Sequence, residues 1–281
     1  MTSLGTQVLA TQALATQVES YSVVIAIGGV PVRVNTTDAS FLEMLQNRYA
    51  GFVSDEGITE FDLDVDLTAP SGMERDAPVR VIQSAGRWLL ERGDFRAEWD
   101  PAMRRGSIRQ SANPYSIDAV LRIVHTLVLA ESGGFLVHSA SAIRNGKAFL
   151  FAGVSGAGKT TISRLAPADA TLLTDEISYV RKQGDGYVAY GTPFNGEFAK
   201  LGENVSAPVA VLYLLAQGPE NRIDPVGEAD AGRELLGNIL FFAEDPEFVH
   251  RAFQAACDFV HRVPVRRLTF VPGVRVWELI G

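Results

Sequence analysis

From Tyr21 onward the chain alternates apolar and polar residues in short blocks. Ser22 to Ile27 and Pro31 to Asn35 flank Gly28-Gly29, a pattern that predicts a β-hairpin whose glycines are free to take positive φ. A short helix is predicted next: Asp38 or Ser40 can cap a segment with Phe41, Leu42 and Leu45 on one face. Alternation returns in Phe61 to Leu67, Val79 to Gln83 and Trp88 to Trp99, so residues 21–112 are expected to form a small β-rich (α+β) domain. Ahead of it, residues 1–20 repeat Thr-Gln at Thr6, Thr11 and Thr16 without turn signals and read as a terminal tail.

The texture changes at Asn113-Pro114. Ser116 can cap a helix in which Ile117, Val120, Leu121, Val124, Leu127 and Val128 recur at helical spacing, and Gly133-Gly134 ends it. Strands are predicted at Phe135 to Ile143 and Ala148 to Ala152, on either side of an Asn145-Gly146 turn. A helix from about Lys159, a strand near Thr171 to Thr174 and a hairpin at Ile177 to Tyr190 come after. Val209 to Leu215 reads as a buried strand, with helices near Ala229 to Ala243 and Glu247 to Val260. Asp245 and Pro246 suit the cap and first position of the second helix. A last hairpin is expected from Val265 to Phe270 and Val274 to Leu279. Strands mixed with helices in this order predict an α/β domain with a mixed sheet over residues 113–281.

Composition narrows the functional classes. At 47% apolar residues the 281-residue chain can fill sizeable cores, and a net charge of −8 argues against a general binder of nucleic acid or anionic membrane. Cys257 is the only cysteine, which rules out an internal disulfide and fits a reducing compartment, so a cytoplasmic enzyme is expected. The first 32 residues contain no Lys or Arg, unlike the basic start of a secretory signal. Apolar runs such as Val209 to Ala216 are far shorter than the roughly 20 residues a membrane span needs. Only four residues are lysines, Lys147, Lys159, Lys182 and Lys200, and all fall in about a fifth of the chain.

One of these lysines has a mechanical case. Gly153-Val154-Ser155-Gly156-Ala157-Gly158-Lys159-Thr160 satisfies G-x-x-x-x-G-K-[ST], between an apolar strand and a predicted helix that continues with Thr161. Glycines let successive backbone N–H groups curl around phosphates. Lys159 supplies a mobile positive charge, and Thr160 a hydroxyl for Mg²⁺. Leu172-Leu173-Thr174 is an apolar strand ending in Asp175 and Glu176, 16 and 17 residues beyond Lys159. A carboxylate at a strand end can hold Mg²⁺, and its neighbour can accept a proton from an incoming hydroxyl; an exposed turn would use the same residues. A lone His such as His138, among Val, Ser and Ala, is more often a hydrogen-bonded structural residue than a catalyst. In Tyr190-Gly-Thr-Pro-Phe-Asn-Gly-Glu197, Gly and Pro suit a structural loop, while Glu197 and Lys200 could face the phosphates. Arg181 and Lys182 read either as a solvated turn or as a substrate contact.

With His138, the 153–160 loop and Asp175-Glu176 in this order, residues 113–281 resemble the kinase domain of HPr kinase/phosphorylase and its relatives in the phosphoenolpyruvate-carboxykinase-like superfamily. The Gly-Thr-Pro-aromatic-x-Gly-Glu run is similar to that of HPr-kinase-related proteins found beside modified-peptide gene clusters. The resemblance implies that Asp175 is the proton acceptor, that His138 modulates the carboxylate pair, and that Lys159 binds the phosphates of ATP. It further implies that Thr160 and Glu176 attend Mg²⁺, with Glu197 as a further metal ligand, and that the chain self-associates. The chain departs from the family in carrying Asp-Glu where HPr kinases carry Asp-Asp, and in lacking a Glu-Ile-Arg-Gly signature.

The expected activity is transfer of the γ-phosphate of ATP to a hydroxyl, the serine of a small protein or peptide. A kinase of free serine or another metabolite, and a nucleotide-gated binding protein without transferase activity, are the alternatives. Carboxykinase chemistry fits least, since those enzymes are much longer.

Overall fold

A computed structural model of the chain describes residues 19–55, 57–69, 77–194 and 202–281. The Thr-Gln repeats, Glu197 and Lys200 lie outside the described residues. The fold is α/β, and its described strands form two mixed sheets.

The first sheet is built from β1 (Tyr21–Ile27), β2 (Val30–Thr36), β3 (Val53–Ser54), β4 (Phe61–Leu67), β5 (Arg80–Ser84), β6 (Arg87–Arg92), β7 (Phe95–Asp100) and β8 (Arg105–Gln110). Their spatial order is β3-β1-β2-β4-β8-β7-β6-β5. The pairs β2–β4 and β4–β8 are parallel and the others antiparallel. The β1–β2 hairpin turns on Gly28 and Gly29 at φ of 63° and 70°, as two-residue turns of this hand require. Along β1, β2, β4, β6 and β7 alternate side chains are inward and buried, among them Val23, Ile25, Ile27, Val32, Val34, Leu63, Leu90 and Trp99. Outward positions carry charges in cross-strand pairs, such as Arg105 with Asp64 and Arg109 with Asp66. Helix α1 (Ala39–Arg48) is capped by the Asp38 carboxylate, which accepts from the Phe41 amide at 2.8 Å, and buries Phe41 and Leu45.

Two details differ from the expectation. The alternation from Trp88 to Trp99 is a hairpin, β6 and β7, that turns at Gly93-Asp94. Strand β8 was not foreseen, because Gly106 and Gln110 take two of its three inward positions and only Ile108 marks it as apolar.

Helix α2 (Pro114–Glu131) links the two sheets. Its cap is Asn113, not Ser116: Pro114 opens the helix without needing an N–H partner, and the Asn113 side chain accepts from the amides of Tyr115 and Ser116. Ser116 instead is buried and donates to Asp94. Because α2 packs against β7 and β8 on one side and against later elements on the other, it is buried nearly all round. One apolar core consequently runs from Ile25 and Leu63 through Ile117, Leu121 and Val124 to Tyr179, Phe194 and Phe248.

The second sheet contains β9 (Phe135–Arg144), β10 (Lys147–Ala152), β11 (Thr171–Thr174), β12 (Ile177–Gln183), β13 (Gly186–Tyr190), β14 (Ser206–Gln217), β15 (Arg222–Pro225) and β16 (Val265–Phe270). Between them come α3 (Lys159–Arg164), α4 (Glu228–Leu236) and α5 (Pro246–Arg262). Two long strands serve twice. Residues 135–138 of β9 pair with β12, and residues 139–144 pair with β10. β14 pairs with β13 at its start and then runs parallel to both β10 and β16. The parallel strands β10, β14 and β16 therefore end along one edge of the sheet.

Helix α5 starts at Pro246 with Asp245 as its cap, as expected. Helix α4 stops at Leu236, well short of the expected Ala243, since the chain leaves it to bond β9: Asn238 O accepts from His138 N, and Leu240 N donates to Leu136 O. Val274 to Leu279 is a 3₁₀ helix and not a strand. Its neighbours Val276 and Trp277 are buried in the same core, which a strand's alternation forbids, and the Trp277 indole donates to Ile162 O. No helix among the described residues is long and apolar enough to cross a membrane.

Candidate functional site

Strand β10 is buried on both faces and ends at Ala152, where the chain enters the glycine loop. Gly156 and Gly158 take φ of 78° and 112°, conformations that side chains resist. A Cβ on Gly158 would lie 2.6 Å from the ring of buried Phe270 at the end of β16, so the loop sits directly on the core. The Ala157 amide bonds Val154 O, and Gln217 at the end of β14 donates to Gly156 O at 2.8 Å. The loop is thus fixed by the ends of three parallel strands.

Gly158 is the N-cap of α3 and has no side chain to offer, so the first-turn amides of the helix lack a side-chain acceptor. Lys159 is buried, and its head reaches back over the loop to Gly153 O at 2.7 Å and Val154 O at 3.3 Å. Burial lowers the Lys159 pKa, and the negative charge of Glu176 opposes that shift.

Facing the loop is the corner that follows β11. Thr174 is buried, and its hydroxyl accepts from the amides of both Glu176 and Ile177 at 3.2 Å, which holds Asp175 and Glu176 at the strand end. Asp175 is buried and Glu176 half-buried. Register brings His138 in from the other side: it pairs with Ile177 across β9–β12, at the point where β9 changes partner from β12 to β10. Burial lowers the His138 pKa, and the positive charge of Lys159 lowers it further, so the imidazole is neutral near pH 7.

These groups enclose one cleft of about 500 Å³ lined by His138, Ser155, Gly156, Gly158, Lys159, Thr160, Thr161, Asp175 and Glu176. Gly153 and Ala157 lie behind the loop, so close that a Cβ added to Gly153 would come within 2.8 Å of the Ala157 Cβ. Arg181 and Lys182 are held elsewhere, Arg181 by Gly28 O and Lys182 by Asp258.

Several supporting residues were not legible as such in the sequence. Thr174 shapes the carboxylate corner, and a hydroxyl residue just before Asp-Glu is the one signal that could have found it. Ser139 and Ser141 of β9 and Ser178 of β12 form a buried hydroxyl cluster, with Ser178 Oγ 2.8 and 2.9 Å from the other two. Thr192 donates its amide to Leu173 O and its hydroxyl to Ile177 O, and Glu203 N bonds Leu172 O. The Gly191 to Phe194 run and the residues around Glu203 are therefore both tied to the strand that ends in Asp175.

The described oxygen donors fit Mg²⁺. Among the described residues no three His, Cys, Asp or Glu side chains are grouped into a ready metal cage. Thr160, Asp175 and Glu176 nevertheless offer hard oxygens in one cleft. Mg²⁺ in phosphate sites is held in this way, by one or two carboxylates with the rest of its shell from water and phosphates.

The chain resembles known proteins in two comparisons. Among solved structures, the HPr(Ser) kinase/phosphatase from Coxiella burnetii aligns over 52% of this chain and 85% of its own at 12% identity, with a TM-score of 0.30. A likeness of that strength carries no argument about the site. No curated protein matches the chain. The family model described as "SynChlorMet cassette protein ScmC" matches residues 108–281, more than half of the sequence and all of the cleft described above. The chain belongs to the SynChlorMet cassette protein ScmC family.

Proposed function

We propose that the protein is a Mg²⁺-dependent kinase that transfers the γ-phosphate of ATP to a hydroxyl, the serine of a small protein or peptide. The observation that carries this reading is the meeting in one cleft of the glycine loop, the Lys159 ammonium and the Asp175-Glu176 corner. The loop supplies uncapped amides and a cation for phosphates, and the corner supplies a base opposite them.

In this reading Lys159 leaves its two carbonyl partners to hold the β- and γ-phosphates. Asp175 accepts the proton of the acceptor hydroxyl as its oxygen bonds to the γ-phosphorus, and the bond from that phosphorus to the ADP oxygen breaks. The loop amides and Lys159 stabilise charge on the transferring group, so catalysis is positioning plus electrostatics. Mg²⁺, held by Thr160 and Glu176, would supply charge neutralisation at the phosphates. His138, kept neutral beside Lys159, orients the corner without adding a second positive charge.

The test is ATP binding by calorimetry together with transfer of labelled phosphate to serine-containing peptides. Lys159→Ala is expected to weaken ATP binding at least about tenfold. Asp175→Asn is expected to keep ATP affinity while transfer falls by about 10²–10⁴. Undiminished transfer by Asp175→Asn would remove that residue from the mechanism, and failure of the unaltered protein to bind ATP would overturn the reading.

A further inference from the structure

A second cavity, of about 420 Å³, opens beside α2 on the side of the first sheet. Val79, Ala119, Ile123 and Phe242 give it apolar wall, and Arg92, Arg122, Tyr115 and Asp118 line the rest of it. The ionic pairing around it leaves one cation over. Arg92 binds both oxygens of Asp94, which also accepts from Ser116. Asp118 lies one helical turn before Arg122, where an i,i+4 pair would be natural, yet it gives one oxygen to Arg48 and the other to the buried Tyr49 hydroxyl. Arg122 is left with the face of Phe194, 5.0 Å from its guanidinium, and its buried Nε has no hydrogen-bond partner. Among the described residues no carboxylate pairs with it. Three arginines thus share two carboxylates, in a protein whose net charge is −8.

A half-buried guanidinium with no carboxylate partner among the described residues, set beside apolar wall, is complementary to a single carboxylate on an apolar body. We propose that this cavity is a recognition pocket for a peptide segment in which an aspartate or glutamate adjoins a large apolar residue. The carboxylate lies on Arg122, and the apolar side chain lies between Ala119, Ile123 and Phe242. One positive charge matches a carboxylate monoanion better than a phosphate dianion, and the apolar walls favour a ligand with carbon to bury.

The pocket is joined to the carboxylate corner by a short chain of contacts. Arg122 stacks on Phe194; two residues earlier Thr192 bonds Leu173 O and Ile177 O, on either side of Asp175 and Glu176. Through this path we assign the pocket to the phosphoacceptor, an assignment that rests on the kinase reading, whereas peptide binding itself does not.

The experiment titrates the full-length, isotope-labelled protein without nucleotide, using N-acetyl-Leu-Glu-amide, N-acetyl-Leu-Gln-amide and inorganic phosphate, and follows amide shifts by NMR. The glutamate peptide is expected to shift α2 resonances and to bind at least about tenfold tighter than the glutamine peptide. Arg122→Gln is expected to abolish that preference. Ala119→Trp, which fills the cavity and keeps the charge, is expected to block both peptides; thermal melts establish that both variants fold. Equal binding of the two peptides, a preference that survives Arg122→Gln, or phosphate binding as tight as the glutamate peptide overturns the proposal. Loss of peptide binding by a protein that still binds ATP would sink the pocket and leave the kinase reading standing. In transfer assays with an acidic serine peptide, Arg122→Gln is expected to raise KM at least about tenfold with kcat little changed. An unchanged KM overturns the assignment to the acceptor.

Discussion

In the first sheet one face is apolar and the other is charged. Strand β4 shows it in miniature: Phe61, Leu63 and Val65 point into the core, while Asp62, Asp64 and Asp66 meet Arg33, Arg105 and Arg109 outside. In the second sheet β10 has no outside. Ala148, Leu150 and Ala152 belong to the core under α4 and α5, and Phe149 and Phe151 belong to the one under α3 and the C-terminal 3₁₀ helix. Strand β10, covered on both faces, leaves polar groups a place only at its ends. The glycine loop follows β10, Gln217 and Phe270 close β14 and β16, and Asp175 follows β11. The candidate chemistry therefore gathers at one edge of the second sheet, as in other open sheets with parallel strands.

If this contrast is right, a change at the edge of the second sheet should injure binding more than folding, and a change in the first core should do the reverse. The largest effect is expected from Gly158→Ala, which places a Cβ against Phe270 at a φ of 112° and so distorts the loop. ATP affinity measured by calorimetry should fall at least about a hundredfold, on the scale of lost phosphate contacts. Ile25→Ala, in the first core, should cost about 2–5 kcal/mol in urea unfolding while ATP affinity stays as it was.

A smaller effect concerns the seam between the sheets. His125 is fully buried on α2, its Nδ1 is 3.1 Å from the Tyr179 hydroxyl, and burial, aided by the charge of Arg181, brings its pKa down to about 3. Below the ordinary histidine value near 6.5 the unfolded chain takes up a proton that the folded chain refuses. Stability should therefore fall with pH by about 1.4 kcal/mol per unit between roughly pH 6.5 and pH 3 on this residue's account. The difference between the unaltered protein and His125→Phe, followed by urea midpoints at pH 7, 6 and 5, isolates that slope; parallel curves would disprove it. The smallest effect is expected on the outer face, where Arg105→Ala removes the pair with Asp64 and should leave the melting temperature within measurement error.

How far the chain could be read beforehand follows the same division. The hairpin of β1 and β2, helix α5 with its Asp245-Pro246 start and the β12–β13 hairpin were legible because alternation, caps and turn residues are local. Strand β8 was hidden by Gly106 and Gln110, and the end of α4 was hidden because the residues after it bond β9, a distant strand. Val274 to Leu279 alternates like a strand, but Trp277 finds its place against Phe151 and Ile162 only once the second core has formed.

By itself the sequence determined the local parts of the site: a glycine loop before a lysine, and two carboxylates at the end of an apolar strand. Both depend on neighbours in the chain, through backbone freedom at glycine and strand polarity. Only the tertiary structure decided that they share a cleft with His138, because that requires β9 to pair with β12 along its first four residues and with β10 beyond them. It alone also left Arg122 without a carboxylate among the described residues, since the partner one helical turn away is taken by Arg48 and Tyr49, residues that spacing along α2 cannot foresee.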